Sequence, residues 1–182
     1  YLYDIKCIDK IIDSLYVLSL SNPHINYKWT HIGDGKLYEK LYKKANEQFN
    51  NLTNINFKFQ GHLENKDLYE FYKNNKLDVF INVSQSEGVP VSIMEAMSCH
   101  IPIVAPNIGG ISDMITDGKN GFLLSNKCSI NEIVNALSNI EIFKTKKVKD
   151  HSYNIFLEKY EANKNYKLFI KNIYNIYKKA DY

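Results

Sequence analysis

Three short apolar runs lie between Leu77 and Ser125: Asp78 to Val83 (DVFINV), Ile101 to Ala105 (IPIVA) and Gly121 to Leu124 (GFLL). They are too short for ordinary helices and rich in β-branched and aromatic residues, the pattern of buried strands. Strands apolar on both faces need a covering layer above and below, which a parallel sheet with crossover helices supplies. Val91 to Cys99 (VSIMEAMSC) is apolar nearly all round and reads as a short buried helix. Pro90 stands just before it or at its first position, where a missing N–H costs nothing. Asn107 to Gly110 (NIGG) is a loop, and Asp117, Gly118, Lys119 and Asn120 form a turn before the third strand.

The same alternation runs through the rest of the chain. Tyr1 to Lys6 reads as the tail of a strand or loop whose beginning is absent, so a true N-terminus is expected upstream. Ile8 to Leu20 has helical periodicity, ended by Ser21, Asn22 and Pro23. Tyr27 to Ile32 reads as a strand, with Gly33, Asp34 and Gly35 turning at its carboxyl end. His31 shares a strand face with Tyr27 and Trp29 and reads as a satisfied core or face residue rather than a ligand. Lys36 to Asn50 is an amphipathic helix, Ile55 to Phe59 a strand ended by Gly61, and Asn65 to Asn75 a helix. Ser129, with Glu132 three residues on, predicts a capping box. Thr145 to Asp150 is expected to be a basic linker. Tyr153 to Tyr177 is one or two helices whose aromatic stripe is expected to be a packing surface. With no internal repeat and no glycine-rich linker, the fold class is α/β, a doubly wound parallel sheet.

Ligands of such sheets bind outside the carboxyl ends of the strands. That places Ser84 to Val91 and Asn107 to Gly110 at the site. Both are glycine-bearing loops leading into helix N-termini, and both are expected to offer backbone N–H groups to an anion. Glu87 and Glu95 have seven residues between them, the first in the loop and the second in the apolar helix. They read in three ways: as an acid and base pair, as hydrogen-bond acceptors for hydroxyls on either side of a phosphate, or as carboxylates facing water. A charge in an apolar helix needs a partner, which weighs against the last.

Charge and cysteines exclude other classes. The 182 residues carry a net charge of only +3, too mild to imply nucleic acid. No apolar run approaches the ~20 residues of a membrane span. Cys7, Cys99 and Cys128 are scattered and odd in number, with no zinc spacing, which points to a reducing compartment. Cys99 and His100 are neighbours on a helix and do not face each other, so a core cysteine is favoured over a nucleophile. The glycines after Ile32 lack the third member of a dinucleotide fingerprint, and no acidic cluster ends an early strand. Both facts count against an NAD domain and a phosphoreceiver domain.

The run from Glu87 to Met97 (EGVPVSIMEAM) resembles the E-x7-E signature of retaining glycosyltransferases of the GT-B type, the "group 1" family. The likeness continues through Ile101 to Ala105, Gly109 and Gly110, and Asp117 to Leu123. It reaches weakly back to Ile32–Gly35 and Phe59–Gly61. The resemblance implies a Rossmann-like half of a GT-B fold, with residues 1–150 binding a nucleotide sugar, the first strand truncated, and helices 151–182 packing on it and towards an N-terminal acceptor domain. It implies a hexosyltransferase of polysaccharide biosynthesis that uses a UDP- or GDP-sugar and a glycan or lipid-linked acceptor. Glu87 would contact the transferred sugar, and Glu95 the ribose diol. Gly88, Val89 and Val91 would turn N–H groups to the diphosphate and sugar; Pro90 has none to give. Lys6 would meet the diphosphate, helped by an Arg expected before Tyr1, and His62 and Leu63 would meet the base. No cofactor and no catalytic metal are expected. The isolated domain is expected to be inactive. The location is expected to be cytoplasmic, the inner face of the membrane included, with peripheral membrane association of the full enzyme. A non-catalytic nucleotide-sugar-sensing module is the alternative. The departures are Cys7 after Lys6, His100 where Gly commonly ends the helix, and Ser112 with Asp113 for a Pro-Glu pair.

Overall fold

A computed structural model describes residues 2–180. Tyr1, where the expected strand tail begins, lies outside the described residues. Helices and parallel strands alternate as the periodicity predicts: α1 (Ile8–Ser21), β1 (Tyr27–His31), α2 (Tyr38–Phe49), β2 (Ile55–Phe59), α3 (Asn65–Asn74), β3 (Phe80–Ile81), α4 (Val91–Ser98), β4 (Ile103–Pro106), β5 (Gly121–Leu124), α5 (Ile130–Ser138), α6 (Lys146–Lys159) and α7 (Ala162–Ala180).

The strands form two sections among the described residues. β1 pairs with β2, Tyr27 opposite Ile55 through His31 opposite Phe59. β3, β4 and β5 pair in that order, also parallel. β4 is buried along its whole length, and its residues alternate between two cores. Val104 belongs with Ile11, Ile12 and Leu15 of α1 and Ile133 of α5. Ile103 and Ala105 belong with Ile93 and Met97 of α4 and Ile155 of α6. Helices therefore cover both faces, the doubly wound arrangement expected of strands apolar on both sides.

Two boundaries differ from the sequence reading for physical reasons. Ladder pairing at Ile101 to Ala105 starts late, because Pro102 has no N–H to give; its carbonyl still accepts from Phe80 N–H at 2.8 Å. The expected linker at Thr145 to Asp150 is instead the first turn of α6. Val148, Ser152 and Ile155 are buried at helical spacing, and Lys146 pairs with Asp150 one turn on. The two C-terminal helices differ in burial: α6 buries Val148, Ser152 and Ile155, and α7 leaves its aromatic stripe bare. Tyr166, Phe169, Ile170, Ile173, Tyr174 and Tyr177 all lie exposed along one stripe of α7.

Two local devices fix helix ends. At α5 the predicted capping box is present: Ser129 Oγ accepts from Glu132 N–H at 3.2 Å, and a Glu132 oxygen accepts from Ser129 N–H at 2.9 Å. Ser129→Ala should cost about 1 kcal/mol, read as a fall of about 2–4 °C in a thermal melt. After α4, His100 takes φ 60°, a left-handed conformation that His tolerates less well than Gly. Its ring stacks on Tyr153 at 4.1 Å between centroids, and Nδ1 lies 3.4 Å from Asp150. The departure from Gly thus exchanges backbone ease for a tie to α6.

Candidate nucleotide-sugar site

The chain turns left-handed at Cys7, with φ 49°, directly before α1. A Gly adopts that conformation without strain. The turn aims Lys6 at the loop after β3, where Lys6 Nζ lies 2.6 Å from Glu87 Oε1. Asn82 Nδ2 donates to the same oxygen at 3.1 Å. The other end of the Asn82 amide, Oδ1, accepts from Ser84 N–H at 2.8 Å. Asn82 is itself buried, so its orientation is set by the loop and in turn sets that of Glu87. Nothing in the spacing marks this residue except its place at the polar end of an apolar strand.

The two acids differ in environment. Burial alone would raise the Glu87 carboxyl; hydrogen bonds from Lys6, Ser84 and Asn82 outweigh it and hold the group below the ordinary carboxylate value. Its side chain is 11% exposed. The Glu95 carboxylate sits on α4 with no hydrogen-bond or ion-pair partner among the described residues, and burial pushes it up. Such a group lacks what a buried charge requires.

The signs on stability are therefore opposite. Glu87 has a lowered folded value, so its contribution is present above pH ~4.5 and is lost as pH falls through that lowered value. Glu95 has a raised one, so the folded state loses stability as pH rises through 4.5 to the raised value. Glu95→Gln is expected to raise the melting temperature of the ligand-free protein at pH 7 and to leave it unchanged below pH 4. An unchanged melting temperature at pH 7 would mean that the carboxylate meets a compensating group.

Lys6, Leu63 and Glu95 line one cavity of about 800 Å³, together with Asn82, Ser84 and Ser92. Glu87 is outside its lining and reaches it through Lys6 and Asn82. Gly88 and Val89 lie exposed in the loop beside it, Pro90 is buried, and Val91 opens α4; Val89 and Val91 are 50% and 62% exposed. Pro90 caps α4, so the N–H groups of Val91 and Ser92 fall in the first turn and have no partner within the helix. The expectation for the second glycine loop changes: Gly110 N–H donates to Gly88 O at 2.7 Å. That group is engaged in joining the two loops. His62 lines the cavity and lies 3.4 Å from Glu64.

His31 stands on the face expected, its ring 6.1 Å from Trp29 and 5.3 Å from Phe59. Burial lowers it to about 4, so it is neutral near pH 7. It is not satisfied, since Nε2 has no hydrogen-bond partner among the described residues. Among those residues no group of His, Cys, Asp and Glu is arranged to hold a metal ion, and no helix is long and apolar enough to cross a membrane.

Comparison with known proteins adds three findings. The sequence profile described as "Glycosyl transferases group 1" matches residues 6–142. An uncharacterized glycosyltransferase of Methanocaldococcus jannaschii is 31% identical over 147 residues, 77% of this chain and 37% of that protein. A UDP-Gal:alpha-D-GlcNAc-diphosphoundecaprenol alpha-1,3-galactosyltransferase of Escherichia coli is 30% identical over 152 residues, 82% of this chain and 34% of that protein. Among solved structures, Anabaena HepE in complex with UDP-glucose superposes with a TM-score of 0.70 at 21% identity, over 96% of this chain and 46% of that one. The chain spans less than half the length of each of these three.

Proposed function

Because the chain belongs to the group 1 glycosyl transferases, we propose that it binds the sugar donor of a retaining hexosyltransferase that uses a UDP- or GDP-sugar and a glycan or lipid-linked acceptor. The fold is a Rossmann-like half of a GT-B fold. The observation that carries the reading is Glu95, a half-buried carboxylate without a protein partner. It lines the same cavity as Lys6 and stands one turn into a helix whose free N-terminus faces the loop after β3. A ribose diol supplies the two hydroxyl donors that such a carboxylate lacks. The names of two comparison proteins, a galactosyltransferase that uses UDP-Gal and HepE with UDP-glucose, agree with a UDP-hexose donor.

In this reading Glu87 accepts hydrogen bonds from the transferred sugar. Lys6 and the N–H groups of Gly88, Val89 and Val91 stabilise charge that develops on the departing diphosphate, the kind of stabilisation that usually dominates such steps. Leu63 flanks the base. Pro90 gives no N–H and shapes the loop. The acceptor attacks from the face that the diphosphate leaves, on a second domain preceding this one. Residues 1–150 bind the donor and 151–182 reach towards that domain. The enzyme works at the cytoplasmic side, free or at the membrane face, without a catalytic metal. The 182-residue chain alone is therefore expected to transfer little or no sugar, and measurable transfer by it would contradict that expectation.

The test is titration of the chain with UDP, GDP, their hexose derivatives and NAD, read by saturation-transfer NMR and calorimetry. A hexose derivative of UDP or GDP should bind and NAD should not. Glu95→Ala removes up to two charge-assisted hydrogen bonds, roughly 1.5–3 kcal/mol each before water compensates. Its affinity for the donor should fall about tenfold or more. An unchanged affinity would remove Glu95 from the site.

A further inference from the structure

We propose that Asn82 is a positioning residue of the transfer step, whose amide keeps hold of Glu87 Oε1 when Lys6 leaves that oxygen for the diphosphate of the donor. The proposal rests on the donor reading above and adds a division of labour within it. Lys6 and Asn82 meet the same oxygen, at 2.6 and 3.1 Å, and of the two only Lys6 carries charge. In the donor reading the Lys6 ammonium turns to the diphosphate. That removes the counterion of a carboxylate whose side chain is 11% exposed. A carboxylate so enclosed takes up a proton or turns towards water unless other donors hold it.

The two partners differ in what fixes them. Lys6 ends a short turn (Asp4–Lys6), and its side chain is 32% exposed. Its flexible stem lets the ammonium swing without moving the backbone. Asn82 follows β3 and is only 9% exposed. Its backbone N–H donates to Val104 O at 2.9 Å, which ties it to β4. Its side-chain Oδ1 accepts from Ser84 N–H at 2.8 Å. An amide has its acceptor at one end and its donors at the other, so that bond leaves Nδ2 to face Glu87. Exchanging the two ends would set oxygen against oxygen at Glu87 and donor against donor at Ser84. Asn82 therefore has one orientation, the one that donates to the carboxylate. Asp in its place would keep the bond to Ser84 and lose the donor; Leu would keep the bulk and lose both. Burial raises the Glu87 carboxyl, and Lys6, Ser84 and Asn82 lower it. With Lys6 drawn away, the two neutral groups keep Glu87 ionised. Ionised, it only accepts, so the hexose turns a hydroxyl to it rather than an ether or carboxylate oxygen.

The test follows the Glu87 carboxyl by carbon NMR in the full-length protein, its signal assigned by its loss in Glu87→Gln. The parent, Asn82→Leu and Asn82→Asp are titrated with acid, alone and with whichever of UDP and GDP the parent binds. In Asn82→Leu the Glu87 midpoint should rise by about one pH unit or more, and further with the nucleotide present. Asn82→Asp keeps the bond to Ser84 N–H and serves if the leucine variant does not fold. There the new carboxyl and Glu87 should share a proton, lost about one pH unit or more above the parent midpoint. In sugar transfer by Asn82→Leu, kcat should fall about tenfold or more with the donor KM little changed. The acid limb of kcat should move further than that of kcat/KM, because Lys6 still holds Glu87 in the free enzyme. A residue that merely shaped the loop would move neither limb. Nucleotide binding to the parent, with the Glu87 midpoint unchanged in both variants, overturns this proposal alone. Failure of both nucleotides to bind the parent overturns the donor reading and this proposal with it.

Discussion

In the full-length protein, Glu87→Ala is expected to lower kcat/KM for the proposed sugar transfer by about a hundredfold or more, the scale seen when one preorganised polar group is removed from a site of developing charge. The side chain is nearly enclosed, and three neighbours hold its carboxylate: Lys6 at 2.6 Å and Asn82 at 3.1 Å, both on Oε1, together with Ser84. The alanine variant leaves Lys6 without its counterion. Affinity for UDP alone separates two roles. If Glu87 meets the transferred sugar, UDP affinity changes little while transfer collapses. If UDP affinity falls as far as kcat/KM, Glu87 serves only to place Lys6. Glu87→Gln, which keeps the hydrogen-bonding outline without the charge, should fall between the parent and Glu87→Ala.

Gly109→Ala should destabilise the protein by about 2–5 kcal/mol, combining a left-handed backbone penalty with overpacking. Gly109 has φ +51°, and a Cβ there would stand 1.9 Å from Glu87 O and 2.9 Å from Gly88 O. Both are backbone atoms of the loop that carries Glu87, so the loop itself must move. Gly61 is the matched control, with φ +73° and nothing within 4 Å of an added Cβ. Gly61→Ala should cost only the backbone penalty, about 1 kcal/mol. Thermal melts of the two variants isolate the clash as their difference. Equal melting temperatures would show that the two loops separate without cost. Donor affinity should fall with Gly109→Ala and hold with Gly61→Ala.

The parts of this molecule legible in the sequence are those encoded over short distances. Strand and helix runs follow from periodicities of two and 3.6, and the α5 cap is written in Ser129 and Glu132. The two acids around α4 could be singled out because a Glu among Ile93, Met94 and Met97 is chemically out of place. Contacts between distant segments were not legible. Lys6 and Glu87 are 81 residues apart, and only the family resemblance placed them together. Asn82 looked like one more residue of an apolar strand. The N–H of Gly110 looked free because the carbonyl that takes it belongs to Gly88, on the other side of α4 and β4 in sequence. The basic run at Thr145 to Asp150 looked like a linker because a single buried Val148 is a weak apolar signal against three lysines.

The site is already neutralised from within. Any lone anion that approaches Lys6, inorganic phosphate for instance, has to outbid a carboxylate 2.6 Å away and would strand that carboxylate in a poorly hydrated corner. A ligand that brings negative oxygens and hydroxyl groups on one frame can satisfy both halves of the divorced pair at once. On the proposed function the salt bridge would act as a filter: small anions are expected to bind weakly, and a bidentate guest to recover the energy of opening it.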